Sequence, residues 1–129
     1  MAHIISERNL ERQKLLGKVL APVTDRLLSA LHPPFGARGL DLGCGMDATT
    51  RQLARTLDKP NEIVGLELNP DLVETAKKLS SGQEDRVFFE QGDVSALKFA
   101  DKSFDFVFAR YLLMHLSEPE AVLKEMLRL

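Results

Sequence analysis

The chain has 129 residues, 44% of them hydrophobic and 28% charged, which at roughly 150 residues per domain gives one globular domain and excludes a multidomain machine. Its 17 basic and 19 acidic residues leave a formal charge of -2, too balanced for a broad nucleic-acid footprint or a polybasic membrane anchor. No apolar run nears the roughly 20 residues that span a bilayer, no secretory signal opens the chain, and the single cysteine, Cys44, makes neither an internal disulfide nor a cysteine-cluster metal site, so a soluble cytoplasmic protein without a metal is expected.

From Ser6 to Leu31 the residues Leu16, Leu20, Val23, Leu27 and Leu31 recur at spacings of four and three, the stripe of an amphipathic helix. Pro22 falls inside it, and an interior proline removes a backbone donor, so two helices or one kinked helix are expected. Pro33, Pro34 and Gly36 end this segment, and residues 1–36 are read as helical, separate from 37–129. Gly39 to Leu42 reads as a buried strand running into Gly43 and Gly45. Ala48, Leu53, Ala54 and Leu57 then mark a helix, giving a strand, glycine turn and helix in succession.

Glu62 to Leu68 reads as a second strand, after which Asn69 is an N-cap and Pro70 the first helical residue of a helix reaching about Ser80. Val87 to Phe89 begin a third strand that ends at Gly92 and Asp93, and Phe104 to Phe108 form a fourth. Ser117 and Glu120 have the spacing of a capping box for the last helix, with Val122, Leu123, Met126 and Leu127 as its buried stripe. Alternating strands and helices imply an α/β fold, a doubly wound parallel sheet with its ligand at the strand carboxyl ends. Leu129 closes the chain inside a helix, with no following strand. The fold is therefore expected to be incomplete, with Phe104 to Phe108 an open edge through which two copies could form a homodimer.

The stretch Asp41-Leu42-Gly43-Cys44-Gly45 places a carboxylate at a strand end and two glycines in a turn before a helix, where free N–H groups and the helix dipole favour an anionic ligand group. Glu67, at the end of the next strand, lies where a carboxylate takes both hydroxyls of a ribose. Gly92-Asp93 ends the third strand, so three strand ends converge on one nucleoside. A nicotinamide-dependent oxidoreductase is one reading, since Gly43-x-Gly45-x-x-Ala48 matches the dinucleotide fingerprint, but Asp41 puts negative charge where NAD's pyrophosphate would approach.

These residues resemble the class I S-adenosylmethionine-dependent methyltransferases of the small-molecule group. The resemblance covers Gly39 to Leu129 and rests on Asp41-Leu42-Gly43-Cys44-Gly45, on Val64-Gly65-Leu66-Glu67 with Asn69-Pro70, on Gly92-Asp93-Val94, and on Ser103 to Val107 leading into Arg110 to Leu116. It implies a Rossmann-like sheet of strand order 3-2-1-4, binding S-adenosyl-L-methionine and releasing S-adenosyl-L-homocysteine, with a small-molecule methyl acceptor. By the same resemblance Gly43, Cys44 and Gly45 would line the methionine part of the cofactor with Asp41 beside them. Glu67, followed by Leu68, would hold the ribose, Asp93 and Val94 would frame the adenine, and Ala109 and Arg110 would border the methionine end.

The family usually carries a third glycine where this chain has Asp47, which is expected chiefly to cap the helix beginning at Ala48, and otherwise to pair with the cofactor's ammonium or weaken its binding. Asp41 serves equally as a hydrogen-bonding support of the turn, and Asp93 as an ordinary turn carboxylate. Cys44 reads as a small residue tolerated between glycines and not as a nucleophile. His115 is the one candidate general base, and only for an acceptor that must lose a proton. Arg110 is expected to meet an anionic substrate or an acid such as Glu118. A non-catalytic interaction module, pairing through its open sheet edge, is the other reading.

Overall fold

The computed structural model describes residues 7–46, 48–58, 61–82 and 86–129; Asp47, and with it the expected cap of the second helix, lies outside the described residues. Helix α1 (Glu7–Leu31) is followed by β1 (Arg38–Leu42), α2 (Ala48–Thr56), β2 (Glu62–Glu67), α3 (Pro70–Ser80), β3 (Val87–Gln91), β4 (Phe106–Ala109), a 3-10 turn (Leu113–His115) and α4 (Pro119–Arg128). The four strands are all parallel and lie in the order β3-β2-β1-β4, as the family resemblance implies. One core layer, with Leu28, Leu53, Ala54, Leu57, Ile63 and Phe108, lies under α1 and α2. The other, with Leu40, Leu42, Val64, Leu66 and Val122, lies under α4, so both sheet faces are covered.

Gly39 in β1 sits directly opposite Phe106 of β4. A Cβ at Gly39 would lie 2.2 Å from the Phe106 ring, so the aromatic side chain occupies the space that a residue at position 39 would need. Gly39→Ala is expected to destabilise the fold by about 1 to 3 kcal/mol through overpacking, read as a lower urea midpoint at unchanged slope. An unchanged midpoint would show that the ring moves aside freely.

Three local expectations are corrected. α1 is one helix with Pro22 inside it and exposed, which overturns the two-helix alternative and keeps the single-helix one. Its buried side is also not the apolar stripe: Val23 is 63% and Leu27 47% exposed, whereas Thr24 and Leu28 are buried. The contacting face runs through Gly17, Ala21, Thr24 and Leu28, because small residues allow α1 to approach α2 closely; a Cβ at Gly17 would stand 3.1 Å from that of Ala48. In α4 there is no capping box. Glu118 is the N-cap, without a side-chain cap bond, because Pro119 takes the first helical position and disfavours helical backbone at the residue before it. Of that helix's predicted stripe Val122 is buried and Met126 packs on the core, whereas Leu127 is 87% exposed.

The entry to α3 is as read: Asn69 caps the helix by accepting the Asp71 N–H at 2.9 Å, with Pro70 in the first turn.

Candidate functional site

A cavity of about 840 Å³ opens at the carboxyl ends of β1, β2 and β4, where a parallel sheet places its ligands, and is bounded by α1 and α2. Asp41, Gly43, Cys44, Gly45, Glu67 and Arg110 line it. Gly43 and Gly45 both take left-handed backbone, φ +69° and +61°, which a side chain would strain and which turns the chain sharply from β1 into α2.

The amides of residues 43–45 in the turn, ahead of the helix start, are engaged within the fold. Gly43 and Cys44 both donate to the Leu66 carbonyl, at 2.8 and 3.1 Å, so the turn is laid against the end of β2. The Gly45 N–H donates to the Glu67 carboxylate at 3.1 Å, and the Asn69 N–H donates to its other oxygen, also at 3.1 Å. Glu67 thereby ties together the turns after β1 and β2 and has its carboxylate aimed into the cavity before any ligand arrives.

Asp41 is buried and accepts the Thr50 hydroxyl of α2 at 2.8 Å. Burial pushes its carboxyl up to about 7, with the Thr50 hydrogen bond and the Arg110 cation pulling it down and the Glu67 charge adding to the rise. Its support is thus directed to α2 and not to the turn that follows it. Burial also pushes the Cys44 thiol up, reinforced by the charges of Asp41 and Glu67, consistent with a packing residue and not a nucleophile. Arg110 donates to the Thr24 hydroxyl of α1 at 3.1 Å rather than to Glu118. The residue after it, Tyr111, has φ +54°, a left-handed conformation uncommon for a bulky side chain and often found at ligand sites.

The remaining sequence candidates lie apart from this wall. Asp93 is exposed, and its carboxylate accepts the N–H and hydroxyl of Ser95, which hold its acidity below the usual carboxylate range. Val94 packs toward α4, Leu68 is 62% exposed, and Ala109 pairs with Leu42 at the end of β4. His115 is exposed on the 3-10 turn, outside the cavity lining. Sequence reasoning missed Thr50, Gln13 and Thr24. Gln13 stands over the turn, its side-chain oxygen 3.1 Å from where a Gly45 Cβ would be. The run Gln13, Gly17, Ala21, at helical spacing, was the available signal for this contact face.

Residues 40–129 match the model of a methyltransferase domain, and the match runs from β1 through every strand and turn just described. The chain belongs to the class I S-adenosylmethionine-dependent methyltransferases. Its methyltransferase relatives include a demethylmenaquinone methyltransferase of Bacillus velezensis, 33% identical over 105 residues, covering 81% of this chain and 45% of that protein. Methyltransferase GfsG of Streptomyces halstedii is 32% identical over 106 residues, covering 82% of this chain and 38% of that one. Among solved structures, the YcgJ protein of Bacillus subtilis superposes with a TM-score of 0.73 at 25% identity, covering 81% of this chain and 44% of that one. The chain therefore spans less than half the length of each of these three proteins.

The cofactor of this methyltransferase family is S-adenosylmethionine, and the residues present suit it. The cavity lies within the roughly 300 to 1,000 Å³ of small-molecule sites, and Glu67 presents there a carboxylate to which a ribose diol would donate. Among the described residues no cluster of His, Cys, Asp and Glu could hold a metal ion, and no helix is long and apolar enough to cross a membrane.

Proposed function

We propose that this chain binds S-adenosyl-L-methionine in the cavity at the ends of β1, β2 and β4 and takes part in methyl transfer to a small-molecule acceptor, leaving S-adenosyl-L-homocysteine. The observation that carries the reading is the Glu67 carboxylate, held by the Gly45 and Asn69 amides at the mouth of the glycine turn. A ribose presents two adjacent hydroxyls, and a carboxylate fixed by backbone donors retains lone pairs for both. The turn at Gly43 to Gly45 then borders the methionine part with Asp41 behind it and Arg110 and the end of β4 at Ala109 nearby, and the adenine extends past the cavity lining toward Leu68, Asp93 and Val94, beyond the ends of β2 and β3.

When bound, the cofactor supplies an electrophilic methyl group on a sulfonium that departs as a neutral thioether. The chain's own residues orient it, bring an acceptor atom into line and exclude water. Arg110, fixed to Thr24 of α1, positions one wall of that approach. His115 is assigned as general base only for an acceptor that must lose a proton and that extends past the cavity to the exposed 3-10 turn. The matching division of the chain is a helical segment over residues 1–36 and a cofactor-binding unit over 37–129. The lone cysteine suits a reducing cytoplasm.

Calorimetric titration with S-adenosylhomocysteine, with NAD as control, tests the reading. Saturable binding of the first and none of the second is expected; binding of NAD alone, or of neither by a folded sample, would overturn it.

A further inference from the structure

The cavity extends beyond the glycine turn along the groove where α1 lies against α2. Its wall there carries Lys14 and Lys18 from α1 and Arg51 and Arg55 from α2. Each pair is four residues apart and so shares one face of its helix. The small residues Gly17 and Ala48 meet between them, and the Gln52 side chain donates to the Ala21 carbonyl at 2.7 Å, which fixes the helices side by side. Four cationic side chains thus flank one groove, and Arg110, bonded to Thr24 of α1, adds a fifth to the cavity lining.

The three acids on the same wall already accept hydrogen bonds within the fold. Asp25 accepts from Gln52 at 2.8 Å and from Thr56 at 3.2 Å, Asp41 from Thr50, and Glu67 from Gly45 and Asn69. Lys14 lies 3.2 Å from Glu11, but that pair is largely exposed to water, where such pairing is weak. Arg51 also has an interaction within the fold. A chain of formal charge -2 thus gathers, among the described residues, five cationic side chains against three acids on one concave wall. Same-sign neighbours on two packed helices repel, and an anion between them reverses the sign of that interaction. Arginine adds a planar fork suited to phosphate and carboxylate oxygens.

We propose that the α1–α2 groove binds an anionic group, a phosphate or a carboxylate, carried by the methyl acceptor, whose reactive atom then points toward the carboxyl ends of β1 and β4. Naming the anion as part of an acceptor rests on the methyl-transfer reading; the anion site itself does not. An acceptor so held is oriented along the groove, with its anionic end at the Lys18 and Arg55 side chains and its other end toward the glycine turn.

Inorganic phosphate is the first probe. Thermal unfolding of the whole chain is followed in a phosphate series against sodium chloride at matched ionic strength. A saturable upward shift of Tm beyond the chloride series is expected, lost in Lys18→Glu with Arg55→Glu and kept in Lys77→Glu with Lys78→Glu, which changes net charge equally on α3. If the double reversal does not fold, Lys18→Gln and Arg55→Gln singly carry the test, each expected to reduce the shift. No shift beyond chloride, or an equal shift in the groove variants, overturns the proposal. Glycerol 3-phosphate, titrated into protein saturated with S-adenosylhomocysteine, separates the sources: a response at least as large as that of inorganic phosphate supports an acceptor-borne group, and a response to inorganic phosphate alone overturns the acceptor assignment. Loss of S-adenosylhomocysteine binding with an intact, groove-dependent phosphate shift would sink the methyl-transfer reading and leave the anion site standing.

Discussion

Glu67→Ala is expected to weaken S-adenosylhomocysteine binding about 100-fold. Hydrogen bonds to a charged acceptor contribute about 1.5 to 3 kcal/mol each, and two ribose hydroxyls together give about 3 kcal/mol or more, where every 1.4 kcal/mol or so is tenfold in Kd. The substitution also strips the Gly45 and Asn69 amides of their acceptor, so part of the loss comes from a loosened turn. Glu67→Gln separates the two effects. It keeps one carbonyl oxygen for an amide but places an NH2 group where the other amide and a ribose hydroxyl need an acceptor, so affinity falls while the thermal midpoint changes less than in the alanine variant. Calorimetry on both variants, with circular dichroism to confirm folding, measures this. An affinity within threefold of the parent would remove Glu67 from ribose recognition.

The second large effect is on stability against pH. In the unfolded chain Asp41 titrates near 3.8, and in the fold burial raises it to about 7. Between those values the folded protein keeps a proton that the unfolded chain has released, so stability falls as pH rises through this window and levels off above about 7. A shift of this size corresponds to at most about 4 kcal/mol. Asp41→Asn removes the titration while keeping an oxygen for the Thr50 hydroxyl. Its stability relative to the parent should therefore be lowest near pH 4 and climb toward pH 8. Urea midpoints of both proteins at pH 5 and pH 8 decide the matter; parallel changes would mean that Asp41 is solvated enough to ionise at its ordinary value.

Much of the fold was legible because its signals are local. Asn69-Pro70 states a helix start within two residues, and Gly43 and Gly45 mark a turn that needs left-handed backbone. The alternation of strands and helices, with the known order of the resembled family, carried the sheet. What misled was also local: Ser117 and Glu120 obey one capping rule while Pro119 obeys a stronger one, and the proline wins because its ring constrains the preceding backbone. The face of α1 was misread for a different reason. Leu16, Val23 and Leu27 make the more apolar stripe, but Gly17 and Ala21 permit the closer approach, and Gln52 secures it by bonding to the Ala21 carbonyl and Asp25. Contacts of this kind join residues about 30 positions apart, as does Arg110 to Thr24 across 86, and no spacing rule anticipates them. At the site Glu67 and Asp41 were found from their strand ends, whereas Thr50 became visible only once α2 was packed on β1.

The last turn of α4 is sewn to the loop ahead of β4. Lys102 and Phe104 donate backbone bonds to the Arg128 and Leu129 carbonyls, and the Arg128 guanidinium reaches the Phe99 carbonyl and Asp101 while gripping Glu125. A helix end bound this way does not fray by itself. Residues 99–104 and the end of α4 form one cooperative opening unit, so in native-state hydrogen exchange the amides of Lys102, Phe104 and Leu129 should share a single opening free energy and lose protection together when Arg128 is replaced.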